Sequence, residues 1–382
     1  MSVKALYIHI PFCDHICIYC DFYKMLAVEE EKEKYFKYLI SELDMKKSYL
    51  SNLETIYIGG GTPSSINTEI LFYFFEDLSR YIDLNTIKEF TFECNPRDVN
   101  QDLIDLFKKY NVNRISLGVQ SLDNDKLKFL KRNHVEKHVL DAINLLHDNN
   151  IYNINCDIIY GLSTDTIDII EYDLKKLMEL DIKHFSCYTL IIEDKTILNH
   201  FIKTRGYKPL SDDEESEIND FINSMMRNNG FIHYEVSNFC KEGFESKHNL
   251  TYWNFDEYIG IGANASYFIG NTRYTNINNL SKYYSGIVNC DLSYKEKIIL
   301  SENDLKYEFL MVGFRKLQGI SLLEFNNRFN DNLLDNKYVK KYLDNNIMSV
   351  NKINNIDYLA INEEYIYVSN EIIINIIGEI YE

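Results

Sequence analysis

The chain has 382 residues, 46% of them hydrophobic and 26% charged, which is the composition of an ordinary globular protein. Its formal net charge of -18 argues against nucleic acid as a partner, because a phosphate backbone requires a basic protein surface. The same charge disfavours docking on an anionic membrane and leaves only a local patch for peripheral membrane contact.

The sequence carries no targeting signal that we can identify. No apolar run approaches the roughly 20 residues that span a bilayer, so no transmembrane segment is predicted. The N-terminus has the pattern of neither a secretory signal nor a transit peptide. We therefore expect a cytoplasmic protein with one large and one smaller domain, or with two domains of ordinary size.

Short β-rich runs alternate with segments of helical period through the first half of the chain. The predicted strands are ALYIHI (5–10), TIYIG (55–59), KEFTFE (88–93), RISLGV (114–119), INCDIIY (154–160) and HFSCYTL (184–190). The predicted helices cover 29–50, 68–82, 100–110, 123–148 and 166–180. This alternation predicts an α/β fold with a parallel sheet, either a partial barrel or an open doubly wound sheet. In both folds a site forms at the carboxyl ends of the strands.

The alternation stops beyond residue 195. A helix is predicted over 211–229, because its acidic start, SDDEESE, suits the positive end of a helix dipole. Further helices are predicted over 302–315, 321–329 and 335–345, followed by a strand pair within 348–369. We predict three parts: a first domain over 1–235, a connecting segment with the motif HNxxYW over 236–290, and a small helix and β-ribbon domain, winged-helix-like, over 291–382.

Residues that are unusual in a packed scaffold follow the predicted strands. Cysteines come after the first strand, GGGTPSS (59–65) comes after the second, and ECNP (93–96) ends the third. Gln120 follows the fourth strand, and Asp157 lies within the fifth. Because the carboxyl ends of parallel strands share one edge of a sheet, we predict the functional site at that edge.

Cys13, Cys17 and Cys20 form a C-x3-C-x2-C loop. In a cytoplasmic chain such a group indicates metal binding or catalysis and not disulfides. Three thiolates can ligate three irons of a [4Fe–4S] cluster and leave the fourth iron open to an exogenous ligand. The alternative is a structural zinc site that borrows His9 or His15, although zinc sites usually pair two Cys/His hooks and the sequence offers one. We predict the cluster.

The loop, with Tyr19 before its last cysteine, resembles the radical S-adenosylmethionine (SAM) superfamily. The motifs YIHIPFC, GGGTPS, ECNP, GVQS and HNxxYW resemble, more narrowly, the branch of oxygen-independent coproporphyrinogen III oxidases and related haem chaperones. The resemblance covers nearly the whole chain and implies a partial (β/α)6 TIM barrel of radical SAM type. It also implies that SAM binds the open iron and that one electron from the cluster can cleave it.

The resemblance implies a set of cofactor contacts. They are Tyr7, Tyr19, Gly60, Gly61, Thr62, Glu93, Gln120, Arg132 and Asp157. Glycines let a backbone approach a ligand, and an arginine can pair with a carboxylate. Asp157 stands among apolar residues, where an unpaired carboxylate is costly, so a ribose hydroxyl is a natural partner for it. Without the resemblance, Glu93 and Arg132 would be interpreted as solvated surface charges.

Two departures separate this chain from the oxidases of the branch. The oxidases have a further cysteine where this chain has Phe22, and they have an extension ahead of a first strand that here begins near residue 5. Both departures favour a haem chaperone, which delivers haem to acceptor haemoproteins and lacks the oxidase activity. The alternatives are an oxidative decarboxylase of coproporphyrinogen III and a radical SAM methyltransferase acting on haem. A flavodoxin or ferredoxin is the expected electron donor.

The HNxxYW motif provides the candidate haem ligand. Imidazole is a standard axial ligand of haem iron, and Trp253, the chain's one tryptophan, could cover a porphyrin face beside His248. The alternative is that the two side chains only close one end of the barrel. We predict His248 as a haem-binding residue.

Overall fold

The computed structural model describes residues 3–381. In the first half of the chain, strands and helices alternate. In chain order they are β1 (Ala5–Ile10), α1 (Glu29–Met45), β2 (Thr55–Gly60), α2 (Thr68–Leu78), β3 (Glu89–Cys94), α3 (Gln101–Lys109), β4 (Arg114–Gln120), α4 (Asn124–Phe129), α5 (Glu136–Asp148), β5 (Ile154–Tyr160), α6 (Ile167–Glu179) and β6 (His184–Thr189). Each strand pairs in parallel with the next one along the chain. The predicted α/β fold with a parallel sheet is therefore confirmed.

The second part of the chain extends this sheet at both edges. Its elements are α7 (Ile197–Arg205), α8 (Asp212–Asn228), β7 (Ile232–Glu235), β8 (Asn238–Cys240), α9 (Lys247–Trp253), β9 (Tyr258–Ile261), β10 (Ser266–Ile269), β11 (Thr272–Asn276), α10 (Leu280–Val288) and β12 (Tyr294–Ile299). The strand order is β12-β11-β10-β9-β1-β2-β3-β4-β5-β6-β8-β7. The six parallel strands β1 to β6 form the predicted partial barrel, which stays open because β1 pairs with β9 and β6 pairs with β8 on their outer edges.

The C-terminal part has its own sheet and its own core. Its elements are α11 (Glu302–Gly313), β13 (Ile320–Ser321), α12 (Leu322–Phe329), α13 (Lys337–Asp344), β14 (Met348–Ile353), β15 (Ile356–Ile361) and α14 (Ser369–Tyr381). The strands lie in the order β13-β15-β14, and the helices pack a separate apolar cluster around them. The expected helix and β-ribbon architecture is confirmed, but the end of the predicted strand pair is a 3-10 turn over Glu363–Val368.

Two predictions about elements need correction or qualification. The helix predicted over 123–148 is broken, because Lys131 adopts a left-handed conformation with φ of 54° between α4 and α5. The segment 236–290, expected as a connection, supplies β8 to one edge of the sheet and β9 to β11 to the other. The domain boundaries at 235 and 290 themselves stay predictions. Within the described residues, no helix has the length and apolar character needed to cross a bilayer.

The sheet places the carboxyl ends of β1 to β6 on one side of the molecule. The strands are buried on both faces, as the near-continuous apolar runs of β1 to β5 require. Helix α1 packs against α2 on the outer layer. The apolar core between the layers is formed by side chains from Val3 to Ile287 of the sequence. The loops that follow the strands are therefore free to form a site at one end of a rigid scaffold.

Candidate functional site

The loops after the parallel strands surround a cleft of about 850 Å³, its mouth included. All the predicted site residues except Tyr7 and His248 line it. They are Cys13, Cys17, Tyr19, Cys20, Gly60, Gly61, Thr62, Glu93, Gln120, Arg132 and Asp157. The sequence therefore identified one connected surface, at the edge of the sheet where parallel strands make a site.

The cysteine loop closes on itself directly after β1. The backbone N–H of Cys13 donates to the carbonyl of Met25 at 2.9 Å, and the N–H of Met25 donates to the carbonyl of Pro11 at 2.7 Å. Ile18, fully buried in a small apolar cluster, anchors the middle of the loop. Cys17 and Cys20 flank this anchor and stay partly exposed to the cleft. The three thiols are thus held at the mouth of the cleft by the loop's own packing.

The chemistry of the thiols fits a multi-iron cluster. Burial raises the pKa of Cys13 to about 11, so the thiolate form needs a bound cation to stabilise it. The hydroxyl of Thr62 donates to Sγ of Cys13 at 3.4 Å. Among residues 3–381, no three Cys, His, Asp or Glu side chains converge tightly enough to share one metal ion. A four-iron cluster has no such requirement, because each thiolate ligates a different iron.

The glycines of GGGTPSS allow close contacts that a side chain would prevent. A Cβ atom on Gly61 would lie 2.6 Å from the carbonyl oxygen of Phe12, and one on Gly59 would lie 2.7 Å from Oε1 of Glu93. Gly60 has a φ of 117°, which strains any other residue. The glycines therefore bring β2 against the cysteine loop and the Glu93 carboxylate, in addition to exposing backbone to the cleft.

Glu93 is a partly buried carboxylate, and no basic side chain among the described residues is hydrogen-bonded to it. Its Oε1 accepts the Tyr57 hydroxyl at 2.8 Å, and its Oε2 accepts the Gly60 N–H at 3.1 Å. Burial raises the pKa of Glu93 to about 7, and the nearby charge of Asp157 adds to the rise. The hydrogen bonds from Tyr57 and Gly60 oppose this effect. A cationic ligand in the cleft would favour the ionised carboxylate, so Glu93 is suited to bind one.

Asp157 and Gln120 form the opposite wall of the cleft. Oδ1 of Asp157 accepts the amide of Asn155 at 2.8 Å, and burial raises the pKa of the Asp157 carboxyl. Gln120 adopts a left-handed conformation with φ of 66°, and its Oε1 accepts the Tyr188 hydroxyl at 3.1 Å. Such a conformation in a residue other than glycine is typical of ligand sites. The carboxylate of Asp157 keeps acceptor capacity for a hydroxyl in the cleft.

The Arg132 guanidinium contacts three segments around the cleft: the cysteine loop, the loop after β3, and β4. Its Nη2 donates to Oδ1 of Asn95 at 2.6 Å and to the carbonyl of Gly118 at 2.7 Å. Its Nη1 lies 3.5 Å from Sγ of Cys17 and 3.5 Å from the hydroxyl of Tyr19. Nε has no partner among the described residues and is buried. The break between α4 and α5 turns this side chain inward, so the interpretation as a solvated surface charge is wrong.

The two remaining predicted residues lie outside the cleft. The Tyr7 hydroxyl contacts Nδ1 of His9 at 2.9 Å, and Nε2 of His9 contacts the carbonyl of Tyr23 at 3.0 Å. Both ring nitrogens of His9, the alternative zinc ligand, are therefore engaged. His15 lines the cleft together with the cysteines, and Phe22 lies at its edge with 68% of its surface exposed.

His248 lies at the opposite end of the barrel, on α9, which covers the amino ends of the strands. Nδ1 contacts Oγ1 of Thr55 at 2.8 Å, and Nε2 contacts the hydroxyl of Tyr252 at 2.7 Å. The side chain is 1% exposed, and burial lowers its pKa to about 3. Glu89, the first residue of β3, accepts the backbone N–H of His248 at 2.9 Å. Ligation of haem iron by His248 stays a prediction, and it would require a ring nitrogen to lose its present partner.

Several residues that line the cleft were not predicted. They are Lys24, Pro63, Cys94, Asn95, Ser116, Gly118, Asn133 and Tyr188. Ser116 and Tyr188 sit in otherwise apolar strand runs, and a polar side chain in such a run was a signal that could have identified them. Lys24 follows the cysteine loop after four residues, and its position had no comparable signal.

A partial barrel with three cysteines at the carboxyl ends of its strands defines a class of protein. Residues 7–177 match the family model described as the radical SAM superfamily. The solved structure of coproporphyrinogen III oxidase (HemN) from Escherichia coli superposes with a TM-score of 0.81 and 18% identity, over 99% of this chain and 91% of that one. At this identity the likeness shows the fold alone.

Curated relatives narrow the class. The chain is 37% identical to the haem chaperone HemW of Lactococcus lactis, over 85% of each protein. It is 34% identical to HemW of Bacillus subtilis, over 87% of this chain and 88% of that one. It is 32% identical to HemW of Haemophilus influenzae, over 84% of this chain and 85% of that one. The chain therefore belongs to the HemW family of the radical SAM superfamily.

Proposed function

We propose that the chain is a haem chaperone that binds haem, a [4Fe–4S] cluster and SAM, and that delivers haem to haemoproteins in the cytoplasm. The observation that carries the proposal is the cleft itself. It joins three thiols, a glycine-rich strand end and two partly buried carboxylates in a chain whose relatives are named haem chaperones.

The residues of the cleft have separate tasks in this proposal. Cys13, Cys17 and Cys20 hold the cluster, which supplies a single electron when it is bound and reduced. Glu93 binds a positive charge of SAM, because its carboxylate accepts hydrogen bonds from Tyr57 and Gly60 and from no basic side chain among the described residues. Asp157 accepts a hydroxyl, as its free acceptor capacity allows.

Arg132 holds the loops around the cleft in place, so that the cleft stays open to its ligand. Its contacts with Asn95 and Gly118 hold the ends of β3 and β4 together, and its contact with Cys17 holds the cysteine loop over them. A planar guanidinium can make these contacts and still present an edge to a carboxylate of SAM. A flavodoxin or ferredoxin is the proposed source of the electron.

The experiment compares haem binding with oxidase activity in one preparation. The cluster is reconstituted without oxygen, haem is titrated, and transfer to an apo-globin is followed by absorption. In parallel, coproporphyrinogen III and SAM are added with a reductant, and the products are separated. Stoichiometric haem binding, transfer to the globin and no decarboxylated product are expected.

Two cysteine variants make the result specific. Cys13→Ser is expected to lose iron and sulfide, whereas Cys290→Ser, at an exposed cysteine after α10, is expected to keep both. Decarboxylation that requires SAM and Cys13 would replace the proposal with an oxidase. A protein that binds no haem with its cluster in place would refute the chaperone function.

A further inference from the structure

Within the described part of the chain, the hydrogen bonds to the carboxylate of Glu93 come from one strand, β2. Tyr57, in the middle of β2, donates its hydroxyl to Oε1, and Gly60, at the end of the same strand, donates its N–H to Oε2. Gly59 lies between them, and the absence of its Cβ leaves room for both the carboxylate and the Tyr57 ring, which would otherwise lie 2.7 Å and 2.8 Å away. The orientation of the carboxylate is therefore set by β2.

The Tyr57 ring is itself held from the far end of the barrel. The imidazole of His248 lies against it, with ring centroids 5.1 Å apart at an angle of 35°. Contacts with Thr55 and Tyr252 occupy both nitrogens of that imidazole. Helix α9 is in turn fixed by Glu89, which accepts the N–H groups of Lys247 and His248 at 2.9 Å each. A continuous set of contacts thus joins α9 to the wall of the cleft.

We propose that Tyr57 is a positioning residue of the SAM site: its hydroxyl orients the Glu93 carboxylate toward a positive charge of SAM, and His248 of the HNxxYW motif holds the Tyr57 ring in place. The inference rests on the proposed function, since it takes SAM as the ligand of the cleft. It assigns to His248 a task at the SAM site that does not require contact with haem.

The titratable groups around Glu93 explain why the Tyr57 hydroxyl affects the ionisation of this carboxylate. The titratable groups that face it from other strands and helices are Tyr7 on β1, Tyr57 on β2, Asp157 on β5, Tyr188 on β6 and Tyr252 on α9. Four of them are neutral phenols at ordinary pH, and the fifth is a like charge. Within the described residues, no lysine or arginine is hydrogen-bonded to Glu93. The ligand must therefore bring the positive charge, and the Tyr57 hydrogen bond makes the carboxylate easier to ionise.

The test measures SAM binding by equilibrium dialysis at pH 5.5 to 8.5. The cluster is reconstituted and left without reductant, so that SAM is bound and not cleaved. Tyr57→Phe keeps the ring against His248 and removes only the hydroxyl. It is expected to weaken SAM binding about tenfold at pH 7 and to move the midpoint of the pH profile upward. A purely structural residue would not move this midpoint.

Tyr283→Phe is the matched control. Its hydroxyl also donates to a buried carboxylate, Oε2 of Glu42 at 2.6 Å, but it lies outside the cleft. The control is expected to leave SAM affinity and the pH profile unchanged, even where it lowers stability. His248→Ala is expected to weaken SAM binding by a smaller factor than Tyr57→Phe, because the ring loses one neighbour and keeps its hydroxyl.

A double substitution tests whether Tyr57 affects SAM binding through Glu93. Glu93→Gln is expected to bind SAM weakly and without pH dependence, and adding Tyr57→Phe to it is expected to change nothing further. Unchanged SAM affinity in Tyr57→Phe, or losses that add in the double variant, would overturn the inference and leave the proposed function standing. A wild-type protein that retains its cluster and binds no SAM would refute both.

Discussion

Replacing His248 by alanine distinguishes a structural imidazole from a haem ligand. The side chain is 1% exposed and loses two contacts, with Thr55 and with Tyr252. Each buried partner left without its hydrogen bond costs about 1 kcal/mol or more. With the cavity left by the ring, the loss of unfolding free energy is about 3–5 kcal/mol. This is a large share of the ~5–15 kcal/mol that stabilise a typical domain.

The pH dependence gives a second, independent measure. Burial lowers the pKa of His248 to about 3, from an ordinary value of 6.5. Because the folded state disfavours the imidazolium, the stabilisation from the neutral ring is complete above pH 6.5 and is lost as the pH falls toward 3. By pH 5 the loss is about 2 kcal/mol. His248→Ala removes this part of the acid sensitivity, so its deficit relative to wild type is expected to shrink at pH 5.

The assay is urea unfolding at pH 7.5 and pH 5, with a haem titration on the same samples. His200→Ala, at an exposed position of α7, is the control and is expected to stay within ~0.5 kcal/mol of wild type. If His248→Ala were as stable as this control and had lost haem binding, His248 would be a haem ligand. The structural argument from its burial and its two contacts would then be wrong.

Three further substitutions test other parts of the scaffold. Gly61→Ala forces a Cβ against the Phe12 carbonyl, so it is expected to lose ~1–3 kcal/mol of unfolding free energy and to lose SAM binding. Its control is Gly378→Ala, in open space on α14, which is expected to be neutral or stabilising in the same urea titration. Lys126→Met removes the ammonium that lies 2.7 Å from the buried Asp165 carboxylate. The expected loss of unfolding free energy is ~3–5 kcal/mol in the same titration, and a loss under ~1 kcal/mol would contradict the argument. Arg132→Lys keeps the charge and loses the forked contacts, so SAM dialysis is expected to show about tenfold weaker binding, and unchanged affinity would argue against a ligand-facing guanidinium.

The parallel sheet and the position of the cleft could be predicted from local pattern. Each strand from β1 to β5 is an apolar run of six or seven residues, and runs of this kind between helical segments form buried parallel sheets. The topology then brings the residues that follow the strands together without further information. Glu93 and Asp157 line the same cleft for this reason, although 64 positions separate them along the chain.

The placement of Arg132 and of α9 could not be predicted in this way. The break before Arg132 depends on a left-handed lysine, and nothing in KFLKRNH distinguishes that lysine from one inside a helix. The end of the barrel that α9 covers is decided by Glu89, whose carboxylate accepts the N–H of a residue 159 positions later. Contacts of such separation leave no local pattern, so the burial of His248 at the opposite end from the cysteines could not be predicted, and its ligation of haem stays a prediction.

The electrostatics of the cleft favour the binding of positively charged groups. Burial raises the pKa of Glu93, Asp157 and Cys13 together, so the protein's own residues hold these groups nearer their neutral forms. Iron and a cationic ligand would reverse each of these shifts, because both place positive charge beside the same side chains. The energy of ionising the cleft is then part of the binding energy of its cofactors. Cofactor binding should therefore stabilise the fold and release protons in the same step, and this coupling links the cysteine loop, β2 and Tyr57 into one unit.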